Sequence, residues 1–213
     1  MKKIILLIIS LLGLNIMSFS QNETNPEKIL DEVSKKIKTY STIKIKFING
    51  FENKKDKINE SKEGTLYLKG EMYKLEFKGQ SVMSDNKTVW TLIDDANEVQ
   101  INNVITDEDA INPANIFNLY KKGYKSKFIK DELKAGVTYH IIDLVPIKGK
   151  SHYKVRVMVD KNKKHITECI VYEKNGNMFT FKIKELTPNV TLENNFFTFN
   201  KSKYPNIEVI DLR

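Results

Sequence analysis

The residues able to do chemistry in this chain are few and scattered. Its three histidines are His140, His152 and His165. A metal site needs ligands that converge from short characteristic spacings, and a general base needs a reacting group within hydrogen-bond reach. These three fall on different predicted strands with no metal-ligand spacing, so they read as surface or hydrogen-bonded histidines. Cys169 is the single cysteine and alternates with Ile170 and Tyr172. No activating neighbour stands beside it in sequence, which makes it a packed thiol rather than a nucleophile. Asp94-Asp95 and Asp107-Glu108-Asp109 supply adjacent carboxylates, but they sit at a predicted turn and a helix start, where acids have local structural reasons to be. Ser84-Asp85-Asn86-Lys87 suits the centre of a tight hairpin. A Gly-rich phosphate loop, a nucleophile elbow and an HExxH motif are all absent. No catalytic constellation emerges, and neither a cofactor nor a metal is expected.

What the elements position instead is an apolar surface. From Gly64 to Ile101 short alternating runs are broken at Lys69-Gly70-Glu71, Lys78-Gly79, Ser84-Asp85-Asn86 and Asp94-Asp95-Ala96-Asn97. That is the rhythm of an antiparallel meander. Leu66 and Leu68 share one strand face, as do Tyr73, Leu75 and Phe77, and Val89 and Thr91 alternate with Trp90 and Leu92. The pattern fits a filled core and a hollow one equally well.

The chain has 213 residues, and the first twenty carry a secretion signature. Lys2 and Lys3 precede an apolar run from Ile4 to Leu14, and Ser18-Phe19-Ser20 offers small residues for cleavage before Gln21. The run is short for a membrane span, which takes about 20 residues. Residues 21–213 then form one domain with a full-sized core. Without Lys2 and Lys3, 33 basic residues face 27 acidic ones, a net charge of +6. Only Arg156 and Arg213 are arginines, and the lysines are dispersed, so nucleic acid is not an expected partner. One cysteine allows no intrachain disulfide.

Pro26 to Tyr40 is a predicted helix, with Asn25 as N-cap and Ile29, Leu30, Val33, Ile37 and Tyr40 on one face. Ile43, Ile45 and Phe47 alternate with lysines as a strand. Asn49 to Glu63 is charged and irregular, either a long hairpin arm or a loop. Pro113 to Tyr120 is a short apolar helix that must dock, because so short a helix is unstable alone. Strands follow at Val137–Val145, His152–Asp160, Ile166–Glu173 and Met178–Leu186, with Asn175-Gly176 as a hairpin turn. Phe196, Phe197 and Phe199 follow a loop, and Ile207–Leu212 can add an edge strand. The expected architecture is α+β: one strongly curved antiparallel sheet of about ten to eleven strands, an incomplete β-barrel capped by short helices.

Three segments in this order carry a family likeness: Gly64-Thr65-Leu66-Tyr67-Leu68-Lys69-Gly70, Ser84-Asp85-Asn86-Lys87-Thr88-Val89-Trp90, and Asn97-Glu98-Val99-Gln100-Ile101. With the first helix and the helix opening at Pro113-Ala114, they resemble the LolA family of outer-membrane lipoprotein carriers. The resemblance implies a half-open barrel under a helical lid and a periplasmic, monomeric, non-enzymatic carrier. It implies acylated lipoproteins or lipid acyl chains as cargo, an inner-membrane lipoprotein-releasing ABC complex as donor and an outer-membrane acceptor. A lipid- or partner-binding sensor domain on the same fold is the alternative. On this reading Ile45, Phe47, Leu66, Leu68, Tyr73, Leu75, Phe77, Trp90, Phe179 and Phe181 form the cavity wall. Ile29, Leu30, Val33, Ile116, Phe117 and Tyr120 form the lid, which fills the cavity when cargo is absent. Gly70-Glu71 replaces the family's Arg-Pro, whose arginine is linked to holding the lid closed; Lys69 cannot form the same planar fork.

Overall fold

Asn25 starts the one α-helix of the described residues. Its side-chain oxygen accepts hydrogen bonds from the backbone N–H groups of Glu27 (2.9 Å) and Lys28 (3.2 Å) and so satisfies two of the four N–H groups that a helix start leaves open. Pro26 has no N–H to leave unpaired. Lys35, Lys36 and Lys38 in the last turn complement the negative end of the helix dipole. This helix, α1, spans Pro26–Lys38 and buries Leu30, Val33 and Ser34. It stops two residues short of the expected Tyr40. The structure, a computed structural model, describes residues 24–105, 117, 118, 120, 121 and 123–213. The expected helix start at Asp107, Glu108 and Asp109, and Ile116 with most of the Pro113–Tyr120 helix, lie outside the described residues.

The strands are β1 (Ile43–Asn53), β2 (Ile58–Lys69), β3 (Met72–Phe77), β4 (Gln80–Ser84), β5 (Thr88–Ile93), β6 (Glu98–Asn103), β7 (Tyr124–Lys134), β8 (Val137–Pro146), β9 (His152–Asp160), β10 (His165–Glu173), β11 (Asn177–Pro188) and β12 (Glu208–Asp211). They form one sheet in the order β12-β6-β5-β4-β3-β2-β1-β11-β10-β9-β8-β7. It is a large, open, curved sheet that does not close into a barrel: β12 and β7 are its two edges. Every neighbouring pair is antiparallel except β12, which runs parallel to β6.

Twelve strands replace the expected ten to eleven. The difference is β7, a stretch for which the sequence reading assigns no element. Lysines dominate it because it is an edge, where charge blocks pairing with another chain. Residues 49–63 form a hairpin arm, with Asn53 paired to Ile58 at its end. In the Asn175-Gly176 turn only Gly176 takes a positive φ, of 92°. Asn175 instead accepts a hydrogen bond from the backbone of Asn177, so the turn is not the expected tight type.

Register tells the two faces apart, since directly opposed residues share a face. Ile45 opposes Leu66, then Leu75, Val82, Thr91 and Gln100 across β1 to β6. Asn49 opposes Phe181, then Cys169, Val157 and Ile142 toward β8. This is the concave face, and α1 lies against it with Leu30 and Val33 in the main core. The convex face of β5 and β6 is covered by the C-terminal segment. There Phe199 and Ile207 pack on Trp90, Leu92 and Val99.

Candidate functional site

Beneath α1 the concave face does not fill completely. A cavity of about 280 Å³ remains, lined by Leu30 from α1, by Phe47, Leu66, Leu75 and Phe77 from β1 to β3, and by Leu144, Val155, Val157, Ile166, Cys169, Val171, Phe179 and Phe181 from β8 to β11. Asn49, Tyr120 and Thr180 add the few polar groups. This volume lies just below the usual range for small-molecule pockets, about 300–1,000 Å³. One part of the wall is built on a glycine between two phenylalanines. Gly64 opposes Phe47 on one side and Phe77 on the other. The two rings meet edge-to-face over it, with centroids 5.6 Å apart. A Cβ on Gly64 would stand 2.7 Å from Phe47 Cζ and 2.9 Å from Phe77 Cε1. Phe181 continues the aromatic wall, 4.4 Å from Phe47 between ring centres.

Polar contacts join the two parts of the lid to each other. Ser34 Oγ donates to Asn118 Oδ1 at 2.7 Å, and the Tyr120 hydroxyl donates to Asp31 Oδ1 at 2.6 Å. Lys121 Nζ stands 3.4 Å from the same carboxylate oxygen. The Tyr120 hydroxyl, with the charge of Lys121, holds Asp31 below the usual carboxylate range. Burial, then Asp31, pushes the Tyr120 hydroxyl well above its ordinary value, so it remains a donor at any physiological pH. Gly70 takes a φ of 59° in the β2–β3 turn with open space around it.

The groups that could do chemistry are spread apart. Tyr124 Oη lies 2.8 Å from His152 Nε2, His140 Nδ1 lies 2.6 Å from Asp131, and Tyr40 Oη lies 3.3 Å from His165 Nε2. Asp94 and Asp95 sit exposed in the β5–β6 turn. Arg156 grips Asp143 through two hydrogen bonds, at 2.7 and 2.8 Å. Cys169 is buried on the cavity floor, and loss of water pushes its thiol up to about 12, the reverse of an activated nucleophile. Among the described residues no group of His, Cys, Asp and Glu can hold a metal ion, and no helix is long and apolar enough to cross a membrane.

A half-open sheet with an apolar hollow under a helix has a counterpart among known families. The model of the outer membrane lipoprotein carrier protein LolA matches residues 38–200. The chain belongs to the LolA family. Among curated protein sequences none matches it. Among solved structures, an uncharacterized conserved protein from Thermus thermophilus is similar over 87% of this chain and 98% of its own, at 12% identity and a TM-score of 0.59. A LolA superfamily protein from Nitrosomonas europaea covers 82% and 97% at 11% identity and a TM-score of 0.45. Lipoprotein LppX of Mycobacterium tuberculosis covers 79% and 100% at 10% identity and a TM-score of 0.46. At these identities the likeness is one of fold alone.

Within this LolA-family sheet, Leu30, Phe47, Leu66, Leu75, Phe77, Tyr120, Phe179 and Phe181 meet at the cavity. Val33, Ile45, Leu68, Tyr73 and Phe117 are buried in the core around it, and Ile29 packs against that core half-buried. Trp90 is elsewhere. It opposes Met83, which opposes Lys74, which opposes Tyr67, and this row belongs to the convex face under the C-terminal segment. The sequence reading passes over Leu144, Val155, Val157, Ile166, Cys169 and Val171. Their signal was present: Val155 and Val157 alternate with Lys154 and Arg156, so the uncharged face points inward.

Proposed function

We propose that this LolA-family protein is a periplasmic chaperone that takes lipoprotein acyl chains into the concave cavity and carries them from the inner to the outer membrane. The observation that carries this reading is the cavity itself: aliphatic and aromatic on nearly every side among the described residues, with a helix as its cover. On this reading residues 1–20 are a signal peptide removed on export, and residues 21–213 act as one monomeric carrier domain. The donor is an inner-membrane lipoprotein-releasing ABC complex and the receiver an outer-membrane acceptor.

Magnitudes favour a lid that yields. An acyl chain of fifteen carbons gains about 12 kcal/mol when fully dried, at about 0.8 kcal/mol per CH₂. A cavity of about 280 Å³ takes only part of such a chain. Full entry therefore displaces α1 and Phe117. Burying Leu30, Val33 and Phe117 is worth roughly 1.5–3 kcal/mol each, or roughly 5–9 kcal/mol together. The surplus of a few kcal/mol corresponds to reversible binding, which a carrier needs in order to release its cargo. The bound and empty states then differ by which apolar group fills the same space.

Native mass spectrometry of the protein recovered from its own periplasm tests the reading. Carrier function predicts co-purified acylated polypeptide or lipid, released by detergent. Recovery in complex with an unacylated protein, with no lipid adduct, would favour a partner-binding sensor instead.

A further inference from the structure

Three turns at one end of the sheet bring six lysines together beside the exposed Ile147 and Tyr153. They are the β1–β2 arm tip with Lys54, Lys55 and Lys57, the β8–β9 loop with Ile147, Lys148 and Lys150, and the β10–β11 turn with Lys174. Lys54, Lys174 and Tyr153 line one surface depression. The backbone N–H of Lys174 donates to the Ser151 carbonyl at 3.1 Å, which ties the second and third turns. Glu52, Asp56 and Glu173 offset only half of these six lysines. Ile147 is 60% exposed and Tyr153 is 51% exposed. The cavity lining rises toward this same end: Val171 opposes Phe179 a few residues from Lys174, and Leu144 stands three residues before Ile147.

We propose that this end of the sheet docks on an anionic phospholipid surface, with the lysines in the headgroup layer and Ile147 and Tyr153 at the acyl boundary. Lysine is a hydrated point charge on a long stem, suited to a diffuse field of headgroups. A shaped acidic protein site would favour the guanidinium fork, and none of these turns carries an arginine. Exposed aliphatic and tyrosine side chains among lysines are the composition of an interfacial segment. Docking here brings the cavity's end toward the bilayer, so an acyl chain crosses little water. The proposal rests on the carrier reading for its purpose alone; vesicle binding is measured without acyl cargo, so its failure is separate from a failure to bind acyl chains.

The experiment is co-sedimentation of the protein with vesicles of phosphatidylglycerol and phosphatidylcholine, or of phosphatidylcholine alone. Binding is expected to the anionic vesicles only, and to weaken with salt. Each lysine near an anionic surface is worth about fivefold in affinity, so Lys54→Glu, Lys148→Glu and Lys174→Glu together should lose at least about a hundredfold. Ile147→Ser alone should weaken binding severalfold. A matched triple variant at the opposite end, Lys69→Glu, Lys87→Glu and Lys134→Glu, should stay within a few-fold of the parent. Parent and variants are all prepared as residues 21–213, the exported form on the reading above, and circular dichroism confirms that each is folded. Equal loss in the two triple variants would overturn the proposal, because net charge alone would then explain binding. Absence of binding to anionic vesicles would overturn it too, and retention on an immobilised acidic polypeptide in that case would assign the surface to a protein partner.

Discussion

Leu30→Ala separates a helix that competes with cargo from a helix that merely lines its path. Leu30 is 2% exposed and faces the cavity from α1. Truncating a buried leucine costs about 2–5 kcal/mol, the upper values arising where the site cannot collapse. Here the removed atoms border an existing hollow and lack packing partners on that side, so the lower end of the range applies. The cost falls on the closed, empty state. If the cargo-bound state has α1 lifted away, Leu30 is in water there and its loss changes little. The difference appears as apparent acyl affinity: a loss of about 2 kcal/mol in lid docking tightens binding by roughly thirtyfold, at about 1.4 kcal/mol per tenfold. Titration with a fluorescent acyl-chain probe measures the affinity, and hydrogen exchange of the α1 amides measures the docking. The expected pair of results is faster exchange and tighter binding. Faster exchange with weaker or equal binding would refute the competitor role of α1, since Leu30 would then be a contact for the chain.

Gly64→Ala places a Cβ within 3.0 Å of both the Phe47 and Phe77 rings; overpacking of this kind should cost about 1–3 kcal/mol, read as a lower urea midpoint with the aromatic wall displaced. The Asp143 carboxyl is held below its ordinary value of 3.8: burial alone would raise it, but Arg156 and Lys154 outweigh that. A depressed folded-state pKa contributes stability above the unfolded value and loses it as pH falls through the folded one. Asp143→Asn should therefore lower the urea midpoint at about pH 7, and the gap to the parent should close toward about pH 2. The Cys169 thiol, pushed up to about 12 and buried, should resist thiol reagents at neutral pH and react faster in Leu30→Ala; equal rates in the two proteins would mean that the cavity does not open through α1.

The strands were legible wherever charge alternated with apolar residues. In β1, Ile43, Ile45 and Phe47 alternate with lysines, and in β9 valines alternate with Lys154 and Arg156. Which face is concave is legible only where one face is charged. In β5 both faces are apolar, because the C-terminal segment covers the outer one. Trp90 therefore reads as wall when it is packed beneath Phe199 and Ile207. β7 escapes a periodicity reading for the opposite reason: a lysine-rich edge buries little beyond Tyr124. The aromatic wall depends on the meeting of Phe47, Gly64 and Phe77, which are brought together only by register. The lid contacts of Asp31 with Tyr120 and Ser34 with Asn118 join residues more than eighty positions apart, and no local pattern announces them.

The central claim is that an acyl chain occupies the space under α1. Methyl-labelled protein mixed with a synthetic acylated lipopeptide tests it through intermolecular nuclear Overhauser effects. The account predicts contacts from the acyl chain to the methyls of Leu66, Leu75, Val155 and Val157, and none to Leu92 or Val99 on the convex side. Binding with contacts confined to Leu92 and Val99, or with no contact to the cavity methyls, would contradict it.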